Sequence, residues 1–359
     1  MADIYCDNTN GNDSTGDGSS GTPYKTLQKC VDNAAGGDVI WIGDTSAQVL
    51  STATSWASGW AAGTGETAYL TIRGWDYSGG AGVAGIGEID GNAAAANVFS
   101  TTSTPNYVVL LNLYMHDTTG YVLDGNGQRW HIIDCEVALG GGGGIDSMSN
   151  LKVINCHVHD NTGHGVRLSS SGLLQGCFVT DNSGDNVACG GTFVVVTGNL
   201  IKNPGTANIF STQDDTTIIN NTIVGDGTSN NIGISIQTSG TGNGIFTNNI
   251  ITDHAGGTGI GIKFTGAKTV VVGNNQFNNN NTNMDSAVSY VTLTDSTTNP
   301  DYVATGSDDY TPQAFVDAYP TTYPGSGTTT ENKIGAVQEA GGAAGGGLME
   351  PGSMNGGMV

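Results

Sequence analysis

Short segments of alternating apolar and polar residues recur along the middle of the chain, between about residues 106 and 284. Eight similar five-residue motifs mark them, LNLYM, IDCEV, INCHV, QGCFV, TGNLI, INNTI, TNNII and GNNQF. A period of two residues predicts short β-strands with one buried face, and the intervening Gly- and Asn-rich stretches predict turns. The pattern therefore predicts a repetitive β protein.

The spacing of the motifs predicts how the strands stack. The middle residue of the first motif is Leu113, and the middle residues of successive motifs are separated by 22, 21, 21, 22, 22, 28 and 26 residues. Such a period is typical of a solenoid, in which equivalent residues lie about 4.8 Å apart on successive coils. The other seven middle residues should form an interior ladder: Cys135, Cys156, Cys177, Asn199, Asn221, Asn249 and Asn275.

The three stacked cysteines have two interpretations, a metal site or structural packing. Zn²⁺ requires a tetrahedral arrangement of ligands, which a single file of thiols does not provide. We expect them to behave as small buried apolar groups, and we expect neither a metal nor a cofactor.

A short helix is predicted before the repeats. Thr22-Pro23 precedes an amphipathic pattern that ends at Gly36-Gly37, and a strand follows at Val39 to Ile42. This helix should cover the open end of the solenoid. Cys6 and Cys30 should approach each other beneath it, as thiols more readily than as a disulfide.

Composition and charge narrow the class of protein. The 359 residues include 58 glycines and only 7% aromatic residues, which fits one elongated, turn-rich β domain. The net charge of -22 disfavours nucleic acid and anionic polysaccharide as partners. No apolar run approaches about 18 residues, so we expect no membrane span. Residues 1–11 lack the pattern of a secretory signal, so we expect none.

Two terminal stretches carry a family resemblance. These are IYCDNTNGNDSTGDGSSGTPYKTLQKCVDNAAGGDVIWI near the N-terminus and NPDYVATGSDDYTPQ followed by IGAVQ. Together with the repeats they resemble the secreted and phage-borne right-handed parallel β-helix proteins related in fold to pectate lyases. The resemblance implies an all-β, single-stranded, right-handed parallel β-helix with an N-terminal capping helix and an irregular C-terminal tail. We divide the chain into a cap (1–50), the β-helix (51–285), a closing segment (286–338) and the tail (339–359).

The resemblance leaves the activity open, because this fold carries lyases, hydrolases, adhesins and virion spikes. Lyases of the fold need an Arg or Lys beside acidic groups, and the few basic residues between 70 and 270 do not share a register on adjoining coils. Hydrolases of the fold use aspartates with a Gly-His-Gly segment. Here Asp214-Asp215 follow Gly163-His164-Gly165, the reverse of the expected order, and a turn is favoured.

An outward cluster is the sharper catalytic candidate. His157 and His159 project from one side of a predicted strand, and Asp160 and Asp181 share a register on adjacent coils. Aspartates recur at this register in four coils, at 117, 160, 181 and 253, which favours turn residues over a single site. We therefore keep these four residues as weak candidates and assign no catalytic residue.

The last 21 residues, EAGGAAGGGLMEPGSMNGGMV, show no strand or helix period. Flexible methionine side chains suit an adaptable contact surface. We predict that this tail docks onto other proteins of an assembly through Leu348, Met349, Met354, Met358 and Val359.

The family resemblance, together with the missing secretory signal and the tail, implies a non-catalytic structural or recognition protein on the surface of a bacteriophage virion, such as a spike, fibre or decoration. Cell-surface glycan is the expected ligand, and a homotrimer fits the fold. The alternative is an extracellular polysaccharide-degrading enzyme, either a glycoside hydrolase or a lyase, on the same fold.

Overall fold

The computed structural model describes residues 1–52, 54–55, 65, 67–101, 106–125, 127–212, 215–229, 231–237, 243–265, 269–285, 290–292, 302–304 and 309–312. The predicted docking residues of the tail and most of the predicted closing segment lie outside these ranges. Within them no helix has the length and apolarity that crossing a membrane requires.

Three parallel sheets contain nearly all of the strands. The first sheet has, in spatial order, β1 (Asp3–Cys6), β2 (Val39–Gly43), β5 (Leu70–Trp75), β8 (Asn106–Leu111), β11 (Gln128–Ile133), β14 (Lys152–Ile154), β17 (Leu173–Gln175), β20 (Val195–Thr197), β23 (Thr217–Ile219), β26 (Asn243–Thr247), β29 (Thr269–Gly273) and β32 (Tyr290–Thr292). The second has β3 (Gln48–Val49), β6 (Gly87–Asp90), β9 (Leu113–His116), β12 (Glu136–Ala138), β15 (His157–His159), β18 (Phe178–Thr180), β21 (Leu200–Lys202), β24 (Thr222–Val224), β27 (Ile250–Thr252) and β30 (Gln276–Asn278). The third has β4 (Thr54–Ser55), β7 (Phe99–Thr101), β10 (Tyr121–Gly125), β13 (Gly143–Met148), β16 (His164–Leu168), β19 (Val187–Cys189), β22 (Ala207–Ser211), β25 (Ile232–Gln237), β28 (Ile260–Thr265) and β31 (Thr282–Asp285). An antiparallel pair, β33 (Tyr302–Ala304) and β34 (Asp309–Pro312), lies apart from them.

Each coil contributes one strand to each sheet, and each strand pairs in parallel with its equivalents on neighbouring coils. One coil illustrates the alternation: Val153, Val158 and Val166 point inward from the three sheets and are fully buried. Their neighbours Lys152 and Arg167 are exposed. The predicted parallel β-helix is thereby confirmed.

The structure places the seven ladder residues inside the cylinder, and none is more than 2% exposed. Asn199 Nδ2 donates to Asn221 Oδ1 at 2.9 Å, and Asn221 donates in turn to Asn249 Oδ1 at 3.1 Å. The cysteines continue the same file, and the Cys177 backbone N–H donates to Asn199 Oδ1 at 2.8 Å. All six cysteines of the chain are buried free thiols, including Cys6 and Cys30.

The N-terminal helix α1 spans Leu27–Asn33 and begins later than the sequence predicts. Its N-cap is Thr26 and not Thr22, because the backbone before it pairs with β1: the N–H of Tyr24 donates to Tyr5 O at 2.9 Å. The carboxylate of Asp13 accepts the backbone N–H and hydroxyl of Thr26, which fixes the start of the helix. Leu27, Cys30 and Val31 are buried and join the main core.

A second polar ladder lies at the turns between the second and third sheets. Amide groups bond from one coil to the next between Asn161 and Asn182 and between Asn186 and Asn208, and Asn182 bonds to Asn186 within one turn. His254 continues the file, because its Nε2 accepts from Asn208 Nδ2 at 3.1 Å and its Nδ1 donates to Asn280 Oδ1 at 3.0 Å. This ladder was not predicted, because its members are unevenly spaced in the sequence.

Candidate functional site

The outward face of the second sheet carries a dense group of titratable and aromatic side chains over five coils. The strand register aligns Glu88, Tyr114, Glu136, His157 and Phe178 in one row. A parallel row two residues further along each strand contains Asp90, His116, Ala138, His159 and Thr180. We call these two rows the imidazole face.

Rings on this face pack against one another. The His157 ring stacks on His159 with centroids 4.0 Å apart and on Phe178 at 4.7 Å. Tyr114 stacks on His116 at 4.2 Å, because residues two apart on a strand project to the same side. The Lys202 ammonium, from the next coil, lies 5.9 Å from the centroid of the Phe178 ring.

One arrangement of a glutamate, a histidine and an aspartate occurs twice on this face. His159 contacts Glu136 Oε1 through Nε2 at 3.1 Å and Asp160 Oδ2 through Nδ1 at 2.8 Å. Two coils earlier, His116 contacts Glu88 Oε1 at 3.1 Å and Asp117 Oδ2 at 2.9 Å in the same way. The carboxylates of each group hold its imidazole in one orientation.

The two stacked histidines are shifted in opposite directions. Burial lowers the pKa of His157 to about 4, and the neighbouring His159 adds to this effect. Burial also disfavours the charged form of His159, but the hydrogen bonds to Glu136 and Asp160 raise its pKa above the usual value. The same hydrogen bond from His159 lowers the pKa of Glu136. The two imidazoles therefore differ, because burial disfavours protonation of His157 whereas the two carboxylates favour protonation of His159.

The two aspartates predicted as weak catalytic candidates bond to different partners. Asp160 binds His159, whereas Asp181 accepts from Thr180 Oγ1 at 2.5 Å and from Asn203 Nδ2 at 3.0 Å. Both have left-handed backbone, with φ of 53° for Asp160 and 55° for Asp181, as do the equivalent Asp117 and Asp253. Asp is among the residues that adopt this conformation most readily, which accounts for its recurrence at this turn.

A second cluster lies on the outward face of the third sheet. Asp124, Asp146 and Arg167 directly follow three residues that pair in register on successive coils, Leu123, Ile145 and Val166. Arg167 Nη1 lies 3.4 Å from Asp146 Oδ1. Burial, followed by the charge of Asp146, raises the pKa of Asp124. We call these three residues the Asp-Arg cluster.

The Asp-Arg cluster was not predicted from the sequence. The signal that reveals it is the spacing of 22 and 21 residues from Asp124 through Asp146 to Arg167, which matches the repeat.

The Gly163-His164-Gly165 segment runs into β16, as the predicted turn requires. His164 Nδ1 accepts the backbone N–H of Asp185 at 3.3 Å and lies 3.4 Å from the Asp185 carboxylate. Burial raises the pKa of Asp185, although His164 opposes this. Asp214 lies outside the described residues.

Solved structures with a similar fold include three lyases. Pectate lyase Pel9A is 14% identical, with a TM-score of 0.57, and the match covers 86% of this chain and 84% of that chain. An alginate lyase from Paenibacillus sp. str. FPU-7 is 16% identical, with a TM-score of 0.58 and coverage of 80% and 99%. A rhamnogalacturonan lyase is 13% identical, with a TM-score of 0.54 and coverage of 85% and 91%. At these identities the likeness concerns the fold.

No curated protein matches the chain. A family profile does match it, over residues 26–223, which is more than half of the 359 residues. The matched range contains the helix α1, both clusters and the interior ladder as far as Asn221. The protein belongs to the family described as the right handed beta helix region.

Proposed function

We propose that the protein binds a neutral polysaccharide along the imidazole face. The observation that carries this proposal is the continuous double row of carboxylates, imidazoles and aromatic rings over five successive coils. Sugar hydroxyls both donate and accept hydrogen bonds, and the face offers acceptors in Glu88 and Glu136 beside the phenol of Tyr114. A linear, repetitive ligand suits a surface that repeats about every 4.8 Å.

The negative charge of the imidazole face favours neutral glycans over anionic ones. The imidazole face contains Glu88, Asp90 and Glu136, and the whole chain has a net charge of -22. A polyuronate would be repelled by this field, whereas a neutral chain would not. The hydrogen bonds that fix both histidines also make the face rigid, so that less entropy is lost on binding.

We predict that the Tyr114→Ala and Phe178→Ala substitutions weaken glycan binding about tenfold each, about 1.4 kcal/mol. Both side chains are half-buried on the imidazole face, and removing them takes away contact area without opening the core. A panel of neutral and uronate polysaccharides, tested with the full chain by affinity electrophoresis and calorimetry, measures the effect.

A matched control is Tyr69→Ala, because Tyr69 is a half-buried tyrosine next to β5 on the outside of the first sheet. Its affinity for glycan should equal that of the unmodified chain. Equal binding by the Tyr114 and control variants, or a preference for uronates, would refute binding at this face.

Polysaccharide cleavage is a second candidate, favoured by the Asp-Arg cluster. A carboxyl group with a raised pKa, such as Asp124, is suited to donate a proton to a leaving oxygen. The neighbouring Asp146 would act as the base or nucleophile, and Arg167 would bind an oxygen of the substrate. These roles require both carboxyl groups on one accessible face, which the register provides.

If the cluster cleaves glycans, the Asp146→Asn substitution should lower the rate about 100-fold or more. New reducing ends without absorbance from an unsaturated uronate indicate a hydrolase, and new reducing ends together with that absorbance indicate a lyase. Asp181→Asn serves as the control, because Asn keeps the left-handed backbone at that turn. Absence of product from the unmodified chain across the panel would eliminate this candidate.

We also retain the proposal that the protein functions on the surface of a bacteriophage particle. It draws on the resemblance described above and on the acidic composition, in which 10 basic residues oppose 32 acidic ones. Docking of the tail to other virion proteins stays a prediction. Fractionation of the source culture tests this setting. Recovery of the native chain with phage particles supports it, and recovery as a free secreted protein favours an extracellular enzyme.

A further inference from the structure

Three potential metal ligands meet on the imidazole face. Glu136 of β12 and His157 and His159 of β15 each offer a ligand atom, and these atoms all lie within 4.8 Å of one another. The arrangement follows from the register, because Glu136 pairs directly with His157 while His159 projects to the same side two residues later.

The spacing is close to that of a zinc centre. Nitrogen and oxygen ligands lie about 2.0–2.2 Å from Zn²⁺ in a tetrahedral site, which places them roughly 3.3 Å apart. The separations of the three ligand atoms, at most 4.8 Å, exceed this distance by about 1.5 Å or less.

A nearby carboxylate orients one of the ligands. Asp160 Oδ2 contacts His159 Nδ1 at 2.8 Å, which leaves Nε2 of that ring directed at Glu136. Histidines that bind metal usually donate their other ring N–H to a carboxylate or carbonyl in this way. Asp160 would thus hold His159 in the tautomer that binds a metal through Nε2.

One nitrogen of the group lacks a partner. Nε2 of His157 is buried and, among the described residues, has no hydrogen-bond partner. Such orphaned polar atoms are uncommon in folded proteins and are often explained by a bound ion or water. The ring itself is held in place between His159 and Phe178.

We infer that Glu136, His157 and His159 bind one divalent transition-metal ion of the Zn²⁺ type. Two imidazoles and one carboxylate favour such an ion over Ca²⁺ or Mg²⁺, which prefer oxygen ligands. Three protein ligands leave a fourth position for water or another oxygen ligand. The sequence alone led us to expect no metal. Zinc binding at these three residues does not depend on glycan binding.

A similar group around His116 does not support the same inference. Asp90, His116 and Asp117 also bring ligand atoms within 4.8 Å of one another. This group contains a single imidazole beside two carboxylates, so it lacks the pair of imidazoles that favours an ion of the Zn²⁺ type. We therefore expect one zinc ion per chain rather than two.

Isothermal titration of the full, chelator-stripped chain with ZnCl₂, without glycan, tests the site. We expect binding of one Zn²⁺, no competition by CaCl₂, and the visible absorption of a four-coordinate site when Co²⁺ is used instead. The His157→Gln and His159→Gln variants should lose this binding. Asp160→Asn, which keeps the turn conformation, should weaken it about 10–100-fold.

His164→Gln is the matched control, because His164 lies on the third sheet beside Asp185 and not on the imidazole face. It should bind zinc like the unmodified chain. Circular dichroism verifies that each variant folds. If a histidine variant does not fold, the zinc affinity of the Asp160→Asn variant decides the question. The inference is overturned if the unmodified chain binds no Zn²⁺, or if the folded variants bind it as tightly as the control does.

Discussion

The Asn221→Ala variant is expected to be less stable than the unmodified protein by about 3–5 kcal/mol, which is in the upper range for a single substitution. Asn221 is fully buried, and its Nδ2 donates to Val196 O at 2.9 Å and to Asn249 Oδ1 at 3.1 Å. Its Oδ1 accepts from both the backbone and the side chain of Asn199. Alanine removes all of these bonds and leaves their buried partners unsatisfied, which accounts for the size of the effect.

Urea unfolding followed by circular dichroism measures this change. Asn33→Ala is the matched control, since Asn33 is exposed on α1, and we expect it to alter stability by about 0.5 kcal/mol or less. Asn221→Cys should cost less than alanine, because cysteine occupies the same ladder position in three coils. A loss below about 1 kcal/mol for Asn221→Ala would contradict a supporting role for the ladder.

Acid should destabilise the protein through His254 by about 3 kcal/mol between pH 6.5 and 4. His254 is fully buried, and burial lowers its pKa from 6.5 to about 4, although its bond to Asn280 opposes the shift. Between these two values the unfolded chain binds the proton and the folded chain does not, so stability falls as the pH falls. Above pH 6.5 both states are neutral and this contribution is complete.

The His254→Asn variant separates this effect from other acid-sensitive groups. It should be less stable than the unmodified chain at pH 8, because the bonds to Asn208 and Asn280 are disturbed. Its stability should then change less between pH 6.5 and 4, with up to one fewer proton taken up on unfolding. Urea unfolding at a series of pH values gives both quantities, and parallel pH profiles for the two proteins would disprove the role of His254.

The interior ladder shows how much a regular period can predict. One repeated register predicts three properties of Asn199, Asn221 and Asn249. They point inward, they follow one another along the axis, and they bond from coil to coil. The second ladder has no such period, since Asn182 bonds to Asn186 only four residues away, whereas Asn208 bonds to His254 46 residues away. Variable turn lengths therefore concealed it.

The candidate sites were predictable to different degrees. His157 and His159 were placed on one side of a strand by alternation alone, and the structure has them there. The contacts of Asp160 and Asp181 with different partners depend on side-chain rotamers and turn geometry, which no period encodes. The same applies to the start of α1, where pairing of Tyr24 with β1 displaced the predicted cap.

The sequence by itself determined the coil, because alternation and a repeat of about 22 residues admit few other ways to bury apolar side chains while pairing every strand. Only the tertiary structure decided which outward residues meet. Strand register and turn length together set which side chains from different coils lie close to one another. These contacts and the accompanying burial shift the pKa values of His157, His159 and Asp124. Such properties arise from distances between coils, and a linear pattern does not contain them.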